Sequence, residues 1–280
     1  MSYEFVPIST DGNSIREIAA LLKLVFPQAD KYSFDFLDWQ YRQNPNGKIR
    51  GFNALYNGKL AAHYAIMPIV ADIFGQPERG LLSLNTATHP DHQGKRLFTT
   101  LANMSYKAAG KEGYGFVVGV ANANSTPGFV NHLGFQLVGP LEAKLGIGEI
   151  VRKELKVSPD FIKRWSEPSI QWRVANPKMQ YQIKGNNVFS KTDKPLIKAM
   201  LVDSSMALPL QDNVVNIGFR PVQLWIGIDQ SINWKRSFYF NVPQSMRPSP
   251  LNFIFKDLTS ASRKLNIKNV RFSAFDFDAY

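Results

Sequence analysis

Apolar residues recur at helical spacing near the start of the chain. The positions that set this spacing are Ile15, Ile18, Leu22 and Phe26. Their spacing predicts a helix that ends before Pro27, and Ser14 with Glu17 has the separation of a capping box at its start. Ser33 is predicted to cap a second short helix, which ends at the turn sequence 44–47.

Strand patterns precede and follow these helices. The predicted strands of the first half cover residues 3–8, 51–56, 59–74, 81–88, 116–120 and 135–138. Asn57-Gly58 predicts a hairpin turn before the long strand 59–74, because both residues accept positive φ. Pro68 is expected to interrupt that strand. A helix that starts near Lys95 and a short helix that ends at Leu133 complete the predicted order, which is β-α-α, antiparallel hairpins, then α-β-loop-α-β.

The second half has weaker patterns. We predict a strand at 145–151, a short helix opened by 158–160, and later strands at 196–202, 224–228, 237–241 and 270–275. The segment 39–45, which starts at Trp39, resembles 172–177, which starts at Trp172, and each precedes two strands joined by an Asn/Gly turn, at Asn57-Gly58 and at Gly185-Asn186. This weak internal similarity is either a chance match or the trace of a duplication. We expect one domain over 1–150 and a second over 151–280, which a duplication would make a degenerate copy of the first.

Composition and charge limit the classes of protein that are possible. The chain has 280 residues, of which 44% are hydrophobic and 20% charged, as in a globular protein with two modest domains. A formal net charge of +11 is consistent with nucleic acid, an anionic membrane surface or an anionic small molecule as partner, and equally with a soluble surface that has surplus lysine. The Lys and Arg residues are dispersed, which argues against a nucleic-acid arm. With no cysteine, thiolate metal sites, disulfides and cysteine nucleophiles are excluded.

Three further patterns are missing from the sequence. No His, Asp and Glu group has the spacing of metal ligands. No stretch reaches the roughly 20 apolar residues that a membrane helix needs, and the first residues do not have the pattern of a signal peptide. We therefore expect a cytoplasmic protein without a metal.

The segment 89–97 carries the clearest candidate chemistry. Its sequence is His89-Pro90-Asp91-His92-Gln93-Gly94-Lys95-Arg96-Leu97. The proline ends the predicted strand, the glycine opens a turn, and the two basic residues stand where the helix begins. Unpaired N–H groups and the positive end of the helix dipole point into such a loop and favour an anion there. We predict that Gln93, Gly94, Lys95, Arg96 and Leu97 bind a phosphate; an ordinary polar loop is the alternative.

This region resembles the GNAT superfamily of N-acetyltransferases, whose signature is a strand followed by Gln/Arg-x-x-Gly-x-Gly/Ala at the start of a helix. The matching segment here is Gln93-Gly94-Lys95-Arg96-Leu97-Phe98, and the predicted order of elements from residue 3 to 138 matches the GNAT order. Gly134-Phe135 matches the Gly-Phe that follows the last helix. The segment 122–129 looks like the Asn-Glu-Asn-Ser-x-Pro-Gly-Phe sequence of a bacterial GNAT subgroup, which is often associated with cell-surface polysaccharide pathways.

The resemblance implies an N-acyltransferase that uses acyl-coenzyme A, with acetyl-coenzyme A as the expected cosubstrate. The implied acceptor is a small-molecule amine, such as an amino sugar or a nucleotide-linked sugar. The implied fold is a mixed, mostly antiparallel central sheet flanked by helices, with a second, smaller α/β domain that shapes the acceptor side. Cofactor contacts outside the loop are expected from the strand edge 118–121 and from Thr86, Ala87, Thr88, Asn122 and Asn124.

His63 is the candidate general base. It lies on a predicted strand that would border the acceptor site, and an imidazole pKa of about 6.5 suits proton transfer near neutral pH. A buried structural histidine is the alternative interpretation.

Several residues depart from the family pattern. Arg96 and Phe98 replace small residues of the signature, and Val130 stands where a tyrosine often serves as general acid. Asn85 occupies a candidate position on the strand before the loop, and an amide cannot act as a base. A coenzyme A-binding module without catalysis is therefore the alternative function, and nucleic-acid binding, which rests on net charge alone, is the third.

Other polar and aromatic residues have simpler interpretations. His89 and His92 are expected to be exposed in the loop, although either could touch a phosphate. Asp276 and Asp278 are expected to be solvated near the end of the chain. We expect Trp39 and Trp172 to anchor the core.

Overall fold

The computed structural model describes residues 2–154, 158–185, 187–202 and 215–277. These ranges contain four α-helices and fifteen strands, joined by turns and loops. The helices are α1 Gly12–Val25, α2 Phe34–Arg42, α3 Leu97–Lys111 and α4 Glu167–Val174. The strands are β1 Glu4–Pro7, β2 Arg50–Tyr56, β3 Lys59–Ile73, β4 Gln76–Thr88, β5 Phe116–Ala121, β6 Gln136–Pro140, β7 Glu142–Gly146, β8 Phe161–Lys163, β9 Tyr181–Lys184, β10 Asn187–Lys191, β11 Ile197–Val202, β12 Val222–Asp229, β13 Tyr239–Asn241, β14 Asn252–Asp257 and β15 Val270–Ser273. Asn186 and Asp278 lie outside the described residues.

The strands form one mixed sheet. Its hydrogen-bonded path runs β6-β14-β5-β4-β3-β8-β15-β12-β11-β10-β9, with β1 and β2 continuing from β3, and with β7 and β13 joined to β12. Three pairs, β4 with β5, β8 with β15 and β11 with β12, are parallel, and the other pairs are antiparallel. The predicted fold class, a mostly antiparallel mixed sheet flanked by helices, is confirmed.

One strand from the end of the chain lies inside the sheet of the first half. β14 is antiparallel to both β5 and β6 and separates them. β8 likewise pairs with the end of β3. A division into 1–150 and 151–280 stays a prediction, and in this arrangement the first segment would not hold all the strands of its own sheet.

Apolar side chains form a separate core on each face of the sheet. One core packs α1, α2 and the C-terminal segment against the sheet face that carries Met67 and Leu82. The other packs α3 against the face that carries Tyr64, Leu81 and Val117. The alternation of faces along β3 and β4 follows from the two-residue period of a strand. Since α2 and α3 lie on opposite faces, a ligand that reaches both must pass through the sheet.

The capping predictions have mixed outcomes. Ser33 caps α2 as predicted, with its hydroxyl accepting a hydrogen bond from Phe36 N at 3.3 Å. The prediction that Ser14 caps α1 is wrong. Asp11 is the N-cap, because its carboxylate accepts hydrogen bonds from Asn13 N at 2.9 Å and Ser14 N at 3.0 Å. An acidic cap also interacts favourably with the helix dipole.

The hairpin prediction at Asn57-Gly58 is confirmed, with φ of 50° and 72° at the two residues. The expected interruption at Pro68 is wrong, since β3 runs unbroken from Lys59 to Ile73. On the edge of β3 away from β4, the first residue of β2, Arg50, is opposite Ile66, and the last residue of β8, Lys163, is opposite Ala71. The proline therefore lies where no described strand needs a ladder hydrogen bond from that edge.

The second half differs from its predicted elements in several places. The helix expected at 158–160 is absent; β8 follows instead, and α4 begins after Ser166, whose hydroxyl accepts from Ser169 N. The strand expected at 145–151 is β7, Glu142–Gly146. Strands at 196–202, 224–228, 237–241 and 270–275 match β11, β12, β13 and β15 within a few residues. β9 and β10 are the two strands expected on either side of the turn sequence at 185–186, and β8 and β14 were not predicted.

Asp276, near the end of the chain, is 3% exposed. Its carboxylate accepts hydrogen bonds from Trp165 Nε1 at 3.0 Å and from Ser273 N at 2.7 Å. The expectation that Asp276 is solvated is therefore wrong.

Two tryptophans join the halves of the chain. Trp39 on α2 and Trp172 on α4 stack with ring centroids 4.7 Å apart. Each indole N–H donates to the backbone carbonyl of the other, at 2.8 Å from Trp39 and 3.0 Å from Trp172. This reciprocal pairing is what a duplicated helix would give, and it supports the duplication hypothesis, which stays a prediction. The expectation that both residues serve as core anchors agrees with this contact.

Substitution by alanine is expected to change the free energy of unfolding in opposite directions at Gly80 and Gly110. A Cβ on Gly80 would lie 2.1 Å from the Phe116 ring on β5, whereas a Cβ on exposed Gly110 of α3 would meet nothing within 4 Å. We predict that Gly80→Ala lowers the free energy of unfolding by about 1–3 kcal/mol through overpacking. Gly110→Ala should raise it by about 0.5–1 kcal/mol, since alanine favours the helix. Urea unfolding measures both, and equal effects would contradict the prediction.

Candidate active site

A cleft opens between β4 and β5. The two parallel strands pair only between residues 80–83 of β4 and 116–119 of β5. Beyond these residues β4 continues to Thr88 and β5 to Ala121 without pairing with each other. β5 stays paired on its other edge with β14, where Asn252 is opposite Ala121. The strands therefore diverge, and the backbone of residues 86–88 presents an edge that no described strand covers.

A β-bulge lies where the cleft begins. Ala65 of β3 is opposite Leu84, but His63 is opposite Ala87, so β4 has one more residue than β3 in this stretch. Asn85 takes up the extra length with a φ of 48°, a left-handed conformation that asparagine tolerates better than most residues. The bulge turns β4 away from β5.

The loop predicted to bind phosphate follows the end of β4 directly. A short 3₁₀ turn, Pro90–His92, leads into Gly94, whose φ is 71°, and then into Arg96, the N-cap of α3, whose φ is 57°. Arg96 makes no side-chain cap. Among the described residues no acceptor takes the backbone N–H groups of residues 94–99. Unpaired donors and a helix dipole are the features that favour an anion, and phosphate binding by this loop stays a prediction.

Four residues around this turn have different surroundings. Lys95 and Arg96 are exposed, so both cations are available to a ligand. Leu97 is buried in the core under α3, which leaves only its backbone for a ligand. Phe98, a departure from the family signature, packs edge-to-face on Phe129 with ring centroids 5.1 Å apart. Its ring thus fills the space between α3 and the turn Gly128–His132.

His63 has both ring nitrogens in hydrogen bonds and is 1% exposed. Its Nδ1–H donates to Asn53 Oδ1 at 2.7 Å, because an amide oxygen only accepts, and its Nε2 accepts from the Tyr41 hydroxyl at 2.8 Å. Burial lowers the pKa of His63 to about 3. A neutral imidazole whose lone pair is already used does not suit base work, so these contacts favour the structural alternative over the predicted base.

The two histidines of the loop after β4, His89 and His92, also have hydrogen-bond partners. His92 Nδ1 is 2.9 Å from the Tyr3 hydroxyl, and its ring lies 5.1 Å from that of Tyr56. His89 accepts a 3.3 Å hydrogen bond from Asp91 N and so caps the 3₁₀ turn. Both histidines lie in the loop as expected, and each is partly buried rather than exposed. Their contacts shape the loop from within.

Asn122 and Asn124 follow β5 at the same edge of the sheet as the loop after β4, because the two strands are parallel. Asn122 Oδ1 accepts hydrogen bonds from Asn124 N at 3.1 Å and Ser125 N at 2.9 Å, so its amide oxygen holds the turn. Asn124 is exposed and does not cap the following turn. The role of both residues toward a cofactor stays a prediction. Thr86, Ala87 and Thr88 lie on the uncovered strand edge, where contact with an extended ligand is expected.

A chain of buried amides and hydroxyls, which no sequence pattern had indicated, supports the bulge from the α2 side. Asn85 Nδ2 donates to Gln40 Oε1 at 2.6 Å and to the Tyr41 hydroxyl at 3.1 Å. Burial raises the pKa of Tyr41, which keeps its hydroxyl neutral and able to donate to His63.

Within the described ranges, no group of three or more His, Cys, Asp or Glu side chains has the arrangement of a metal site. None of the helices in the same ranges is both long and apolar enough to cross a membrane.

The comparisons agree with this geometry. Residues 9–138 match the family described as "Acetyltransferase (GNAT) domain". Three solved structures are similar, each with a TM-score of 0.57. They are a probable N-acyltransferase from Enterococcus faecalis V583 (8% identity, covering 92% of this chain and 73% of that one), a GCN5-related N-acetyltransferase from Anabaena variabilis (12%, 92% and 74%), and Saccharomyces cerevisiae N-myristoyltransferase with bound myristoyl-CoA (10%, 96% and 88%).

At these identities the similarity to solved structures shows the fold alone, which is GNAT-like. No match was found among curated proteins. Residues 9–138 therefore match a GNAT acetyltransferase domain, and the fold of which they are part is GNAT-like. The Asn-x-Asn-Ser segment and its bacterial subgroup remain a prediction.

The buried state of His63 predicts a pH effect on stability. An unfolded histidine has a pKa of about 6.5, and the folded pKa is about 3, so between these values the unfolded state binds more protons. The free energy of unfolding should therefore fall as pH drops, by roughly 1.4 kcal/mol per pH unit below about 6.5. Urea unfolding of the parent and of His63→Gln from pH 7 to 4 should show a shrinking difference. A constant difference would contradict the assignment.

Gly94 can be tested against a matched glycine. Gly94 and Gly75 both have positive φ, 71° and 81°, and a Cβ on either would meet nothing within 4 Å. A β-branched residue is strained at either position, but only Gly94 lies in the anion loop. We predict that Gly94→Val weakens acetyl-coenzyme A binding about tenfold, or about 1.4 kcal/mol, while Gly75→Val does not. Calorimetric titration measures both, and equal losses would show that the effect is not local.

Proposed function

We propose that this protein is an N-acyltransferase that transfers an acyl group from acyl-coenzyme A to a small amine. The acyl group that we expect is acetyl. The observation that carries the proposal is the divergence of β4 and β5 beside an uncapped α3. Residues 86–88 of β4 provide an extended backbone edge, and residues 94–99, which follow in the chain, provide unpaired N–H groups. An acyl-coenzyme A has the matching parts, an extended arm with amides and an anionic pyrophosphate.

The residues present fit such a cosubstrate. The N–H groups of 94–99 and the cations of Lys95 and Arg96 would hold the phosphates. The edge at Thr86, Ala87 and Thr88 would hydrogen-bond the arm, as an added strand does. Bound acyl-coenzyme A supplies the thioester from which the amine takes its acyl group. The chain's own part is to bind both reactants and to align them at the bulge.

A coenzyme A-binding module without catalysis is the second candidate. Val130 stands where the family often has a tyrosine, and His63 is buried and neutral. Neither residue supplies an obvious acid or base at the cleft. Acyl transfer remains the first candidate because a thioester reacts with a correctly placed neutral amine without an acid that activates the carbonyl, so positioning alone contributes much of the rate.

The acceptor and the cellular location belong to the proposal as well. Likeness of segment 122–129 to the bacterial subgroup suggests an amino sugar or a nucleotide-linked sugar. The acyl chain is open, since one similar structure holds myristoyl-CoA. We keep the expectation of a cytoplasmic protein without a metal.

The test separates the two candidate functions. Calorimetry with acetyl-, octanoyl- and myristoyl-coenzyme A should show saturable binding to the full chain, and release of free thiol should depend on an added amine. Binding without thiol release over a broad amine panel would support the binding module instead. Absence of binding for every acyl chain would reject both functions.

A further inference from the structure

Three hydroxyl groups form a hydrogen-bonded chain on the α3 face of the sheet, which we call the hydroxyl chain. The Tyr64 hydroxyl of β3 lies 2.5 Å from the hydroxyl of Tyr106 on α3 and 2.8 Å from Ser83 Oγ on β4. Tyr64 is 0% and Tyr106 5% exposed, whereas Ser83 is half-buried. Burial raises the pKa of Tyr64 to about 12 and also raises the pKa of Tyr106. Both phenols are therefore neutral, and each has one hydrogen to donate.

The direction of donation along the hydroxyl chain follows from a count of hydrogens. Among the described residues, the Tyr106 hydroxyl has Tyr64 as its one hydrogen-bond partner. A buried hydroxyl that leaves its hydrogen unpaired is costly, so Tyr106 donates to Tyr64. The hydrogen of Tyr64, which is also buried, then goes to Ser83 Oγ. Ser83 is therefore an acceptor in the chain, and within the described ranges no acceptor takes its own hydrogen.

Ser83 lies at the base of the cleft. It is the last residue of β4 that pairs with β5, and Gly119 is opposite it. A Cβ on Gly119 would lie 3.4 Å from Ser83 Cβ and 3.5 Å from Ile254 Cδ1 of β14. These are contact distances, so the glycine leaves a space of about one methyl group beside Ser83. An atom of a ligand can therefore come close to the Ser83 hydroxyl.

The proposed cosubstrate would reach this point. Phosphates held by the N–H groups of 94–99 would lie at the start of α3, on the same face of the sheet as the hydroxyl chain. The uncovered edge of β4 leads from Thr88 back to Ser83. Between its phosphate and its sulfur, coenzyme A has an arm about as long as four residues of extended backbone. Laid along β4 from Thr88, this arm brings the sulfur next to Ser83.

We propose that the Ser83 hydroxyl donates a hydrogen bond to the sulfur of acyl-coenzyme A and so stabilises the thiolate that leaves during acyl transfer. The inference rests on the proposed N-acyltransferase function and gives that function a catalytic residue. A donor fixed in advance at the atom that gains negative charge is an effective means of catalysis. Val130 stands where the family resemblance implies a tyrosine for the thiolate, and Ser83 supplies a donor from β4 instead.

Tyr64 and Tyr106 are positioning residues in this arrangement. Tyr64 occupies a lone pair of the serine oxygen as a donor, and Tyr106 occupies Tyr64 in the same way. The serine hydrogen is thereby kept away from Tyr64 and is available to the cleft. Loss of the Tyr64 hydroxyl would let the serine hydroxyl rotate, so the hydrogen bond to sulfur would be weakened but not removed.

The reaction balances with acyl-coenzyme A and the amine alone. The acceptor ammonium first loses a proton to solvent. Its nitrogen then forms the C–N bond of the amide as the C–S bond of the thioester breaks, and the sulfur leaves with the electron pair. The nitrogen releases a second proton to solvent, and the thiolate takes up one proton from solvent. Ser83 keeps its own proton throughout, and the products are the amide, coenzyme A thiol and one released proton.

The test measures the pKa of the coenzyme A thiol while coenzyme A is bound to the full chain. Ultraviolet absorbance of the thiolate is followed against pH, with bound desulfo-coenzyme A as the blank. A hydrogen-bond donor at the sulfur stabilises the thiolate and lowers the pKa of the thiol. In Ser83→Ala this pKa should rise by about one pH unit, as expected for the loss of a hydrogen bond to a charged group. In Tyr64→Phe the rise should be about half as large.

Ser105 gives a matched control. It is a buried serine of α3 whose hydroxyl donates to the Leu101 carbonyl at 2.7 Å. Its hydrogen is therefore already used, and Ser105→Ala should leave the pKa of the bound thiol unchanged. Calorimetry at pH 7 should give a coenzyme A affinity within about twofold of the parent for each variant. This result, together with thermal unfolding, shows that the variants are folded and that their cosubstrate site is intact.

Turnover gives a second measurement. With acetyl-coenzyme A and the best amine of the panel, Ser83→Ala should lower kcat by about tenfold or more, with KM for acetyl-coenzyme A little changed. A pKa of the bound thiol that is equal in the parent, Ser83→Ala and Tyr64→Phe would overturn this inference while coenzyme A binding stands. An equal rise in Ser105→Ala would overturn it as well. Absence of coenzyme A binding by the parent chain would instead reject the proposed function.

Discussion

The early end of the ladder between β4 and β5 is the constraint on which the rest of the site depends. Parallel strands normally pair along their shared length, and here two causes stop them. The extra residue at Asn85 bends β4, and β14 holds β5 on its other edge. An uncovered strand edge ordinarily invites aggregation. Here it lies in a cleft, between the anion loop on one side of the sheet and α2 on the other, where a ligand can use it.

Helix α2 ties this cleft to the second half of the chain through three consecutive residues. Trp39 stacks on Trp172 of α4, while Gln40 and Tyr41 hold the bulge through Asn85. A displacement of α4 would therefore change the position of α2 and, through it, the hydrogen bonds at the bulge. The C-terminal half also supplies β14, which pairs with β5 beside the cleft.

Burial lowers the pKa of two groups on this side of the sheet, His63 and Lys163, whose hydrogen bonding differs. His63 is enclosed with both nitrogens satisfied, so burial simply keeps it neutral. Lys163 is also enclosed, and its ammonium donates to the backbone carbonyl of Asp276 at 3.2 Å. Completeness of hydrogen bonding, rather than residue type, separates them.

Local patterns in the sequence were sufficient for features whose causes are local. Ser33 caps a helix because its hydroxyl meets an N–H three residues on, Asn57-Gly58 turns because both residues accept positive φ, and the loop at Gln93 and Gly94 follows from a strand end beside a helix start. The mixed sheet and the region of the anion site follow from these. Only the tertiary structure decided what depends on distant partners. The insertion of β14, the closed hydrogen bonds of His63, and the hydroxyl chain from Tyr106 through Tyr64 to Ser83 join residues far apart in sequence. Such contacts leave no periodicity or spacing in the chain, because burial and hydrogen bonding are settled by which elements pack together, not by neighbours in sequence.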